Sequence, residues 1–313
     1  MKKIISIVTP VYNEEKNIQF YYDRITKTID AIENYDFEII FTDNCSSDST
    51  FSLIKSLAEN DVRIKAYKFS RNYGYQKSIF TGYSKSTGHC VIEFDCDLQD
   101  PPELLPRFIE EWEKGNSIVY GKRIKRPEGA IITKARKIFY RTLSAVSENE
   151  LPIDAGDFML LDRIVVNQLV SIKDHNIYIR GEVFSFGFKR SAIEYERDQR
   201  LHGDSKFPLR KLFSLAIDGF VSQSTLPLKL ASYFGVTMAV TMTLLIVIYL
   251  LLHLMGFVSA AGFTTTTILI LLSISVNAIF LGIIGEYLAR LYSNTNNKPF
   301  VIIEDRVDNE AEQ

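Results

Sequence analysis

Apolar and polar positions along the first two-thirds of the chain follow a pattern typical of strands and helices that succeed one another. Five short runs rich in β-branched and aromatic residues predict β-strands, and segments with helical spacing of apolar residues lie between them. The predicted strands cover residues 4–10, 37–43, 64–70, 89–95 and 117–123. Strands separated by helices form βαβ units, so the pattern predicts an α/β domain with a largely parallel sheet.

Polar residues after these strands predict where helices begin. Asn13 is expected to cap the first helix, and the serines after Asp43 the second. A third helix is expected over residues 76–84. Asp100 is expected to cap a fourth, with Pro101 at its first position, which is favourable for proline. An apolar run after Asp157 predicts one more strand.

A long uncharged segment follows this α/β pattern. From Leu230 through Gly285 the chain contains no Asp, Glu, Lys or Arg. One membrane span needs about 20 apolar residues, so this segment suits two spans, predicted at about 231–253 and 266–289. These lengths fit two buried helices of a soluble core poorly. Residues 206–229 mix Phe and Leu with Lys and Arg, which is typical of an amphipathic helix at a membrane surface.

Basic residues flank the two predicted spans and are absent from the loop between them. The positive-inside rule then predicts a multi-pass protein of the inner (plasma) membrane, with both termini and the globular domain in the cytoplasm. The predicted division is a globular domain over residues 1–205, interfacial helices over 206–229, two transmembrane helices over 230–290 and a tail over 291–313. The polar tail is expected to be loosely ordered.

Charge and cysteine content exclude several classes of protein. The chain has 36 Lys and Arg against 38 Asp and Glu, a formal net charge of −2. A dedicated nucleic-acid binder is strongly basic, so no nucleic-acid partner is expected. The three cysteines imply no disulfide framework, which fits a reducing compartment. The sequence has no Ser–His–Asp, CxxC or P-loop pattern, and its four histidines lack metal-ligand spacing.

Polar side chains follow each of the five predicted strands. Open parallel sheets bind ligands at the carboxyl ends of their strands. Any one of these residues has a simple explanation as a helix cap or turn residue, but together they predict a site. The candidates are Pro10, Tyr12, Glu14, Asp43, Arg71, Asn72, Asp95, Asp97, Lys122 and Arg123.

Asp95 and Asp97 are two residues apart after a predicted strand, with Gln99 two residues further on. Alternate side chains of an extended backbone share a face, so both carboxylates and the amide are expected to converge. Two carboxylates that close repel each other unless a cation lies between them. Mg²⁺ takes one or two carboxylates together with phosphate oxygens and water, so this segment predicts a site for Mg²⁺ or Mn²⁺.

Two basic clusters are candidates for phosphate binding. The first, residues 122–141, fits a solvated helix face or a phosphate clamp equally well, and Arg123 is its member closest to a strand end. The second, residues 197–206, has a loop-like composition that suits closure over a pyrophosphate near the membrane. Asp157 fits a buried, capping or catalytic carboxylate, and composition does not choose among these.

Six motifs, in order and ahead of the two predicted spans, resemble those of the family 2 glycosyltransferases. They are IVTPVYNEE, TDNCSSDST, FSRNYGYQKS, FDCDLQDPPE, DAGDFMLLDR and RDQRLHGDSK. Over roughly residues 3–295 the chain is similar to the membrane-bound polyprenyl-phosphate group, which includes bactoprenol glucosyltransferases and dolichyl-phosphate mannose synthases. The resemblance implies a GT-A fold, with a Rossmann-like, mostly parallel sheet, for residues 1–205.

The resemblance also implies roles for the candidate residues. By their motifs, the residues that match the pocket for base and ribose are Pro10, Tyr12, Glu14 and Asp43, and those that match the metal and diphosphate motif are Asp95, Asp97 and Gln99. The residues that match the cations near the phosphates are Arg123, Arg200 and Lys206. Asp157 matches the carboxylate at the reaction centre. Many relatives read Asp-Asp-Gly-Ser where this chain has Asp43-Asn44-Cys45-Ser46. This difference leaves the preferred base open. The Gln-x-x-Arg-Trp motif of processive synthases is absent from the sequence, which favours a single transfer.

The resemblance thus implies a metal-dependent, inverting enzyme that transfers one sugar from a nucleotide-sugar to a polyprenyl phosphate in the bilayer. UDP-glucose and undecaprenyl phosphate are the leading expectation, for modification of lipopolysaccharide or another cell-surface glycan. The alternatives are GDP-mannose, an amino or modified arabinose sugar from a UDP donor, or a non-catalytic membrane scaffold of the same fold. Expected partners are further copies of the chain, a downstream flippase and a second transferase.

Overall fold

The computed structural model describes residues 2–124, 155–175, 177–197, 226–255, 262–295 and 298–308. The chain divides into two compact units. One comprises Met1–Phe213 together with Lys298–Gln313, and the other comprises Ser214–Asn297.

The first unit is built on an eight-stranded sheet. Its strands are β1 (Lys3–Val11), β2 (Tyr35–Asp43), β3 (Ile64–Phe69), β4 (Cys90–Glu93), β5 (Ile118–Arg123), β6 (Ala155–Asp162), β7 (Arg190–Tyr195) and β8 (Ile303–Val307). They lie in the order β7-β5-β6-β4-β1-β2-β3-β8. β6 and β8 run antiparallel to their neighbours, and the other adjacent pairs are parallel. The predicted α/β class, the largely parallel sheet and all five predicted strands are confirmed.

Helices connect these strands and cover the sheet. They are α1 (Ile18–Asp30), α2 (Thr50–Ala58), α3 (Tyr75–Lys85), α4 (Leu105–Glu113), α5 (Arg163–Ser171) and α6 (Ile179–Ser185). In β1 every residue from Ile5 through Val11 is buried, because helices pack on both faces of the sheet. On α3, a Cβ at Gly82 would lie 2.3 Å from Cγ1 of Val8, so glycine is what allows this helix to lie so close to β1.

Two predicted helix starts are wrong. The residue that precedes α1 is Asn17, not Asn13. Asn13 has a positive φ of 54°, and its Oδ1 instead accepts a hydrogen bond of 2.8 Å from the backbone N–H of Ser47. The helix after β4 begins with a 3₁₀ turn over Pro102–Leu104 that Pro101 precedes, so Asp100 is not its cap. The Asp100 carboxylate is bound elsewhere, as described below.

The C-terminal segment returns to the sheet, contrary to the expectation of a loosely ordered tail. β8 pairs with β3 and covers its outer edge. Lys55 Nζ lies 2.6 Å from Asp305 Oδ2, and the hydroxyl of Tyr67 donates to Asp308 Oδ2 at 2.9 Å. The ring of Phe300 lies 4.6 Å from that of Phe80 on α3. The strand has five residues, two of them exposed and none fully buried, so neither length nor hydrophobicity marks it in the sequence.

The second unit contains two long helices, α7 (Leu226–Leu254) and α8 (Phe263–Thr295), which cover the predicted spans. The rings of Phe234 and Phe280 lie 5.9 Å apart between them. Within the described ranges, α8 alone is long and apolar enough to cross a membrane, with a mean hydropathy of 1.6 over Leu272–Ala289, while the apolar part of α7 is the shorter Ala231–Leu245. The two-span hairpin therefore stays a prediction. Most of the predicted interfacial helix, residues 206–225, lies outside the described residues.

A buried ion pair joins β2 to β3, away from the carboxyl edge of the sheet. Lys65 Nζ lies 3.1 Å from Glu38 Oε2, and both side chains are less than 10% exposed. Glu38 Oε1 also accepts hydrogen bonds from the Ser6 hydroxyl at 2.5 Å and the Thr87 N–H at 2.6 Å. Burial by itself would raise the pKa of Glu38, but these hydrogen bonds and the Lys65 charge together hold that pKa below its usual value.

Replacing Lys65 with Met is expected to lower the free energy of unfolding by about 3–5 kcal/mol at pH 7, because it leaves the Glu38 carboxylate buried without its cation. The measurement is urea unfolding of the full chain in detergent, followed by the fluorescence of Trp112, the single tryptophan. Since the pKa of Glu38 is lower in the folded state, its stabilisation is present above its usual pKa of 4.5 and is lost as the pH falls below it. The variant should therefore approach wild-type stability in acid. Lys27→Met, at an exposed position of α1, is the control and should change little.

Candidate functional site

Most of the predicted site residues lie at one edge of the sheet. The parallel strands β1 to β5 and β7 end at this edge, and β6 begins there because it runs the other way. Asp157, near the start of β6, thus comes to the same edge as Asp95, which follows β4. The rings of Phe94 and Phe158, 4.9 Å apart, pack directly beneath.

Asp43 ends β2 and is fully buried. Its Oδ1 accepts hydrogen bonds from the backbone N–H of Ser46 at 3.0 Å and from the Ser46 hydroxyl at 2.5 Å. Within the described part of the chain its Oδ2 has no hydrogen-bond partner, and burial raises the pKa of Asp43. A buried acceptor without a partner is costly, so this oxygen is suited to a ligand that donates a hydrogen bond.

The other residues predicted for the base and ribose lie beside Asp43 on β1 and the loop after it. Pro10 is buried in β1 opposite Thr42, and Tyr12 is 41% exposed. Glu14 Oε2 accepts a hydrogen bond of 2.6 Å from the Asn17 side chain, and its backbone N–H donates to Thr50 Oγ1. Pro10 and Glu14 therefore have local structural contacts of their own, while Asp43 keeps a buried carboxylate oxygen that has no partner among the described residues.

Four carboxylates crowd together at the end of β4 and just after it, those of Glu93, Asp95, Asp97 and Asp100. Burial, together with the charges of Asp97 and Asp100, raises the pKa of Asp95 to about 7. Burial and the neighbouring carboxylates also raise the pKa of Glu93, which is 1% exposed, well above its usual value. The Asp95 side chain remains 26% exposed. So much acid in one place favours a cation.

The backbone here is not extended throughout, as the sequence argument assumed. Leu98 has a positive φ of 56°, and the backbone N–H of Gln99 donates to Asp97 Oδ1 at 3.1 Å. The turn brings Asp97 and Gln99 together through the main chain, whereas the argument expected their side chains to converge. That reasoning is wrong at Leu98.

A divalent metal fits this acid cluster in a limited way. Across the described ranges, no three His, Cys, Asp or Glu side chains are grouped so as to hold an ion by themselves. Asp95 and Asp97 are instead suited to an ion that takes its remaining ligands from a diphosphate and water, which is how Mg²⁺ is usually bound.

Two arginines, Arg123 and Arg197, contact carboxylates of this acid cluster. Arg123 NH2 lies 3.5 Å from Asp100 Oδ2, and Arg197 Nε lies 3.3 Å from Asp100 Oδ1. The Tyr195 hydroxyl also donates to Asp100. The guanidinium of Arg123 packs against Gly156, where a Cβ would lie 2.9 Å from its NH2. Arg200 and Lys206, the other two predicted phosphate cations, lie outside the described residues.

Asp157 is paired with a residue that the sequence analysis missed. Arg180 NH2 donates to Asp157 Oδ2 at 3.0 Å, and its Nε lies 3.4 Å from Oδ1. The two side chains are 16% and 21% exposed, so the pair is open to a ligand. Arg180 is an isolated basic residue in an apolar segment, and no spacing rule connects it to Asp157. The sequence analysis interpreted Asp100 as a helix cap, and it included Arg197 only as the first residue of the basic cluster over residues 197–206.

Part of the first unit matches a known protein family. Residues 6–170 match the family described as Glycosyl transferase family 2. The chain belongs to this family. Its membership of family 2 and its mostly parallel sheet confirm the GT-A fold that the resemblance implies.

Relatives of this glycosyltransferase match nearly its whole length. It is 39% identical over 301 residues to "Uncharacterized glycosyltransferase YkcC" of Bacillus subtilis (strain 168), covering 96% of this chain and 93% of the relative. It is 34% identical to "Prophage bactoprenol glucosyl transferase homolog" of Escherichia coli (strain K12), covering 96% and 98%. A solved glucosyl-3-phosphoglycerate synthase from Mycobacterium tuberculosis, with Mn²⁺, UDP and phosphoglyceric acid, aligns at a TM-score of 0.46 and 18% identity, covering 70% of this chain and 76% of that one.

Proposed function

We propose that this glycosyltransferase transfers one sugar from a nucleotide-sugar to a polyprenyl phosphate, with UDP-glucose and undecaprenyl phosphate as the leading pair. The observation that carries the proposal is the meeting of two groups at one sheet edge: the carboxylates after β4 and the Asp157–Arg180 pair. The names of relatives that match along nearly the full chain support a bactoprenol acceptor and a glucosyl group.

The free oxygen of Asp43 supports its contact with the base. Uracil carries one N–H between two carbonyls, and this N–H would satisfy the Asp43 Oδ2 that otherwise lacks a partner. Guanine also presents an N–H donor, so the same observation keeps GDP-mannose as the second candidate donor. Arg123 would lie near the diphosphate, since it already neutralises Asp100 at the end of the parallel strands.

Asp95 and Asp97 would hold Mg²⁺ or Mn²⁺ together with the donor diphosphate. When bound, the metal would supply positive charge to the departing nucleoside diphosphate. The role of the protein is to hold these two carboxylates and the nearby arginines in place before the reaction, so that charge is stabilised without rearrangement.

The acceptor phosphate would attack the sugar directly. A phosphomonoester has a second pKa of about 6, so at neutral pH it is mostly a dianion and has no proton to lose. One of its oxygens forms a bond to C1 of the sugar while the bond from C1 to the diphosphate oxygen breaks, which inverts the configuration. We therefore assign Asp157 the positioning of the acceptor through Arg180, whose guanidinium can bind a carboxylate and a phosphate together.

We also propose that α7 and α8 anchor the enzyme in the inner membrane, with the first unit on the cytoplasmic side. A long polyprenyl chain cannot leave the bilayer, so the acceptor phosphate must be bound at the membrane surface. The charge-free stretch from Leu230 through Gly285, with basic residues on both sides, supports this topology. A homo-oligomer, a flippase and a second transferase are the proposed partners.

The proposal is tested with the full-length protein in detergent, with undecaprenyl phosphate, Mn²⁺ or Mg²⁺, and a panel of labelled UDP- and GDP-sugars. Label should enter the lipid phase from one donor, and the product should have the anomeric configuration opposite to that of the donor. If no donor labels the lipid while nucleotide still binds, the acceptor is wrong, and the non-catalytic scaffold becomes the better explanation.

Removal of divalent metal with EDTA is expected to abolish lipid labelling, and excess Mn²⁺ should restore it. The physical reason is that two carboxylates without a cation repel the diphosphate that they are proposed to hold. The measurement is the initial rate of labelling as a function of free metal concentration. Full activity in EDTA after exhaustive dialysis against chelator would exclude the metal role of Asp95 and Asp97.

A further inference from the structure

The hydroxyl of Tyr75 lies between two carboxylates of the acid cluster. It donates a hydrogen bond to Asp95 Oδ1 at 2.8 Å and lies 3.2 Å from Glu93 Oε1. A phenol carries one proton, so the shorter contact, to Asp95, is the one that it satisfies first. Tyr75 lies in the motif FSRNYGYQKS, but its spacing in the sequence does not connect it with these two carboxylates.

Rigid elements hold Tyr75 in this position. It is the first residue of α3, directly after Gly74, whose φ of 95° is accessible mainly to glycine. The close approach of α3 to β1 at Gly82 fixes the distance of the helix from the sheet. The side chain of the next residue, Gln76, accepts a hydrogen bond of 3.0 Å from the backbone N–H of Ile179, beside Arg180.

The hydrogen bond distinguishes the two oxygens of Asp95. Oδ1 is bound to Tyr75, whereas Oδ2 faces Arg197 NH2 at the longer distance of 3.5 Å. Hydrogen bonds from outer residues commonly orient a carboxylate that binds a metal, and their loss weakens metal binding.

We propose that Tyr75 is a positioning residue: its hydroxyl holds Oδ1 of Asp95, so that Oδ2 is presented to the divalent cation and the donor diphosphate. This inference rests on the metal-dependent transfer proposed above. It adds a residue on α3 to a site otherwise formed at the strand ends.

The same helix supplies a matched control. Tyr83 is 1% exposed, and its hydroxyl has no hydrogen-bond partner among the residues that the structure describes. Tyr75→Phe and Tyr83→Phe each remove one phenolic oxygen from α3, but only the first breaks a hydrogen bond to Asp95. A difference between them is therefore due to the contacts of the Tyr75 hydroxyl with the acid cluster, of which the hydrogen bond to Asp95 is the shorter.

The experiment is a Mn²⁺ titration of the full-length protein with UDP, followed by the electron paramagnetic resonance of free Mn²⁺. Tyr75→Phe is expected to weaken Mn²⁺ binding by about 10–100-fold, and Tyr83→Phe to leave it unchanged. Thermal unfolding without metal is measured in parallel. A merely structural role would lower the unfolding midpoint of Tyr75→Phe without changing the Mn²⁺ affinity of the folded protein.

Wild-type Mn²⁺ affinity in folded Tyr75→Phe would overturn the positioning role and leave the proposed function intact. Equal weakening in both variants would also overturn it, because Tyr83 does not contact Asp95. No Mn²⁺ binding by the wild type would overturn the metal site itself, and with it this inference. Weakening in Tyr75→Phe alone supports the inference.

Discussion

Replacing Asp97 with Asn is expected to reduce sugar transfer to the lipid by about 10²–10³-fold, the size of effect seen when one preorganised charge-stabilising group is lost. Asn keeps a side-chain oxygen that can accept the hydrogen bond from the Gln99 N–H, so the turn at Leu98 should persist. What is lost is the negative charge that the proposed metal and diphosphate need. The measurement is kcat for lipid labelling, together with the release of nucleoside diphosphate.

The control for this prediction is Asp36→Asn. Asp36 is exposed at the start of β2, at the opposite edge of the sheet, and should tolerate the same change with unaltered turnover. Extra Mn²⁺ should partly restore Asp97→Asn and have no effect on Asp36→Asn. Wild-type turnover in Asp97→Asn at limiting metal would mean that the diphosphate is held by other residues.

Replacing Asp157 with Asn is expected to lower kcat by about 10²-fold with little change in the binding of nucleotide. The reason is geometric: without the charge of Asp157, Arg180 loses a partner at 3.0 Å and the acceptor phosphate loses its orientation. Because the dianionic phosphate needs no base, the dependence of the remaining activity on pH above about 6.5 should match that of the wild type. The measurement is a set of kcat profiles from pH 6 to pH 9.

Asp162→Asn is the matched control, since Asp162 lies on the same strand at the other edge. Its side chain caps α5 through the Ile164 N–H and accepts from Trp112 Nε1, so this variant should lose some stability but no turnover. A pH profile altered by Asp157→Asn would restore the role of a general base. Near-normal turnover of Asp157→Asn with an unchanged pH profile would mean that Asp157 has no role in the reaction.

The strands, and the gathering of candidate residues at one edge of the sheet, were predictable because they depend on local patterns. A buried parallel strand is a short apolar run, and a polar residue at its end lies at the carboxyl edge, which is why Asp43, Asp95 and Arg123 were chosen as candidates. Asp157 was a candidate through the family resemblance, although composition did not place it at this edge. It lies there because β6 runs antiparallel, which only the pairing of β6 with β4 and β5 reveals.

The residues that were missed act through contacts between distant segments. Arg180 meets Asp157 across 23 residues, and Tyr195 meets Asp100 across 95. Asp100 was explained as a helix cap because Pro101 follows it, and that local rule is overridden by its contacts with Tyr195 and two arginines. Tyr75 and Glu93 carry no spacing signal, since one begins a helix and the other ends an apolar strand.

The position of β8 in the chain has a consequence for biosynthesis. β8 covers the outer edge of β3, yet it follows both helices of the second unit in the sequence. During translation the edge of β3 must therefore stay open until α7 and α8 have been made. An open strand edge is a template for pairing with other chains. A nascent chain halted after α8 would carry Asp95, Asp97 and Asp157 and still present that edge, so the full sheet forms only after its final strand has left the ribosome.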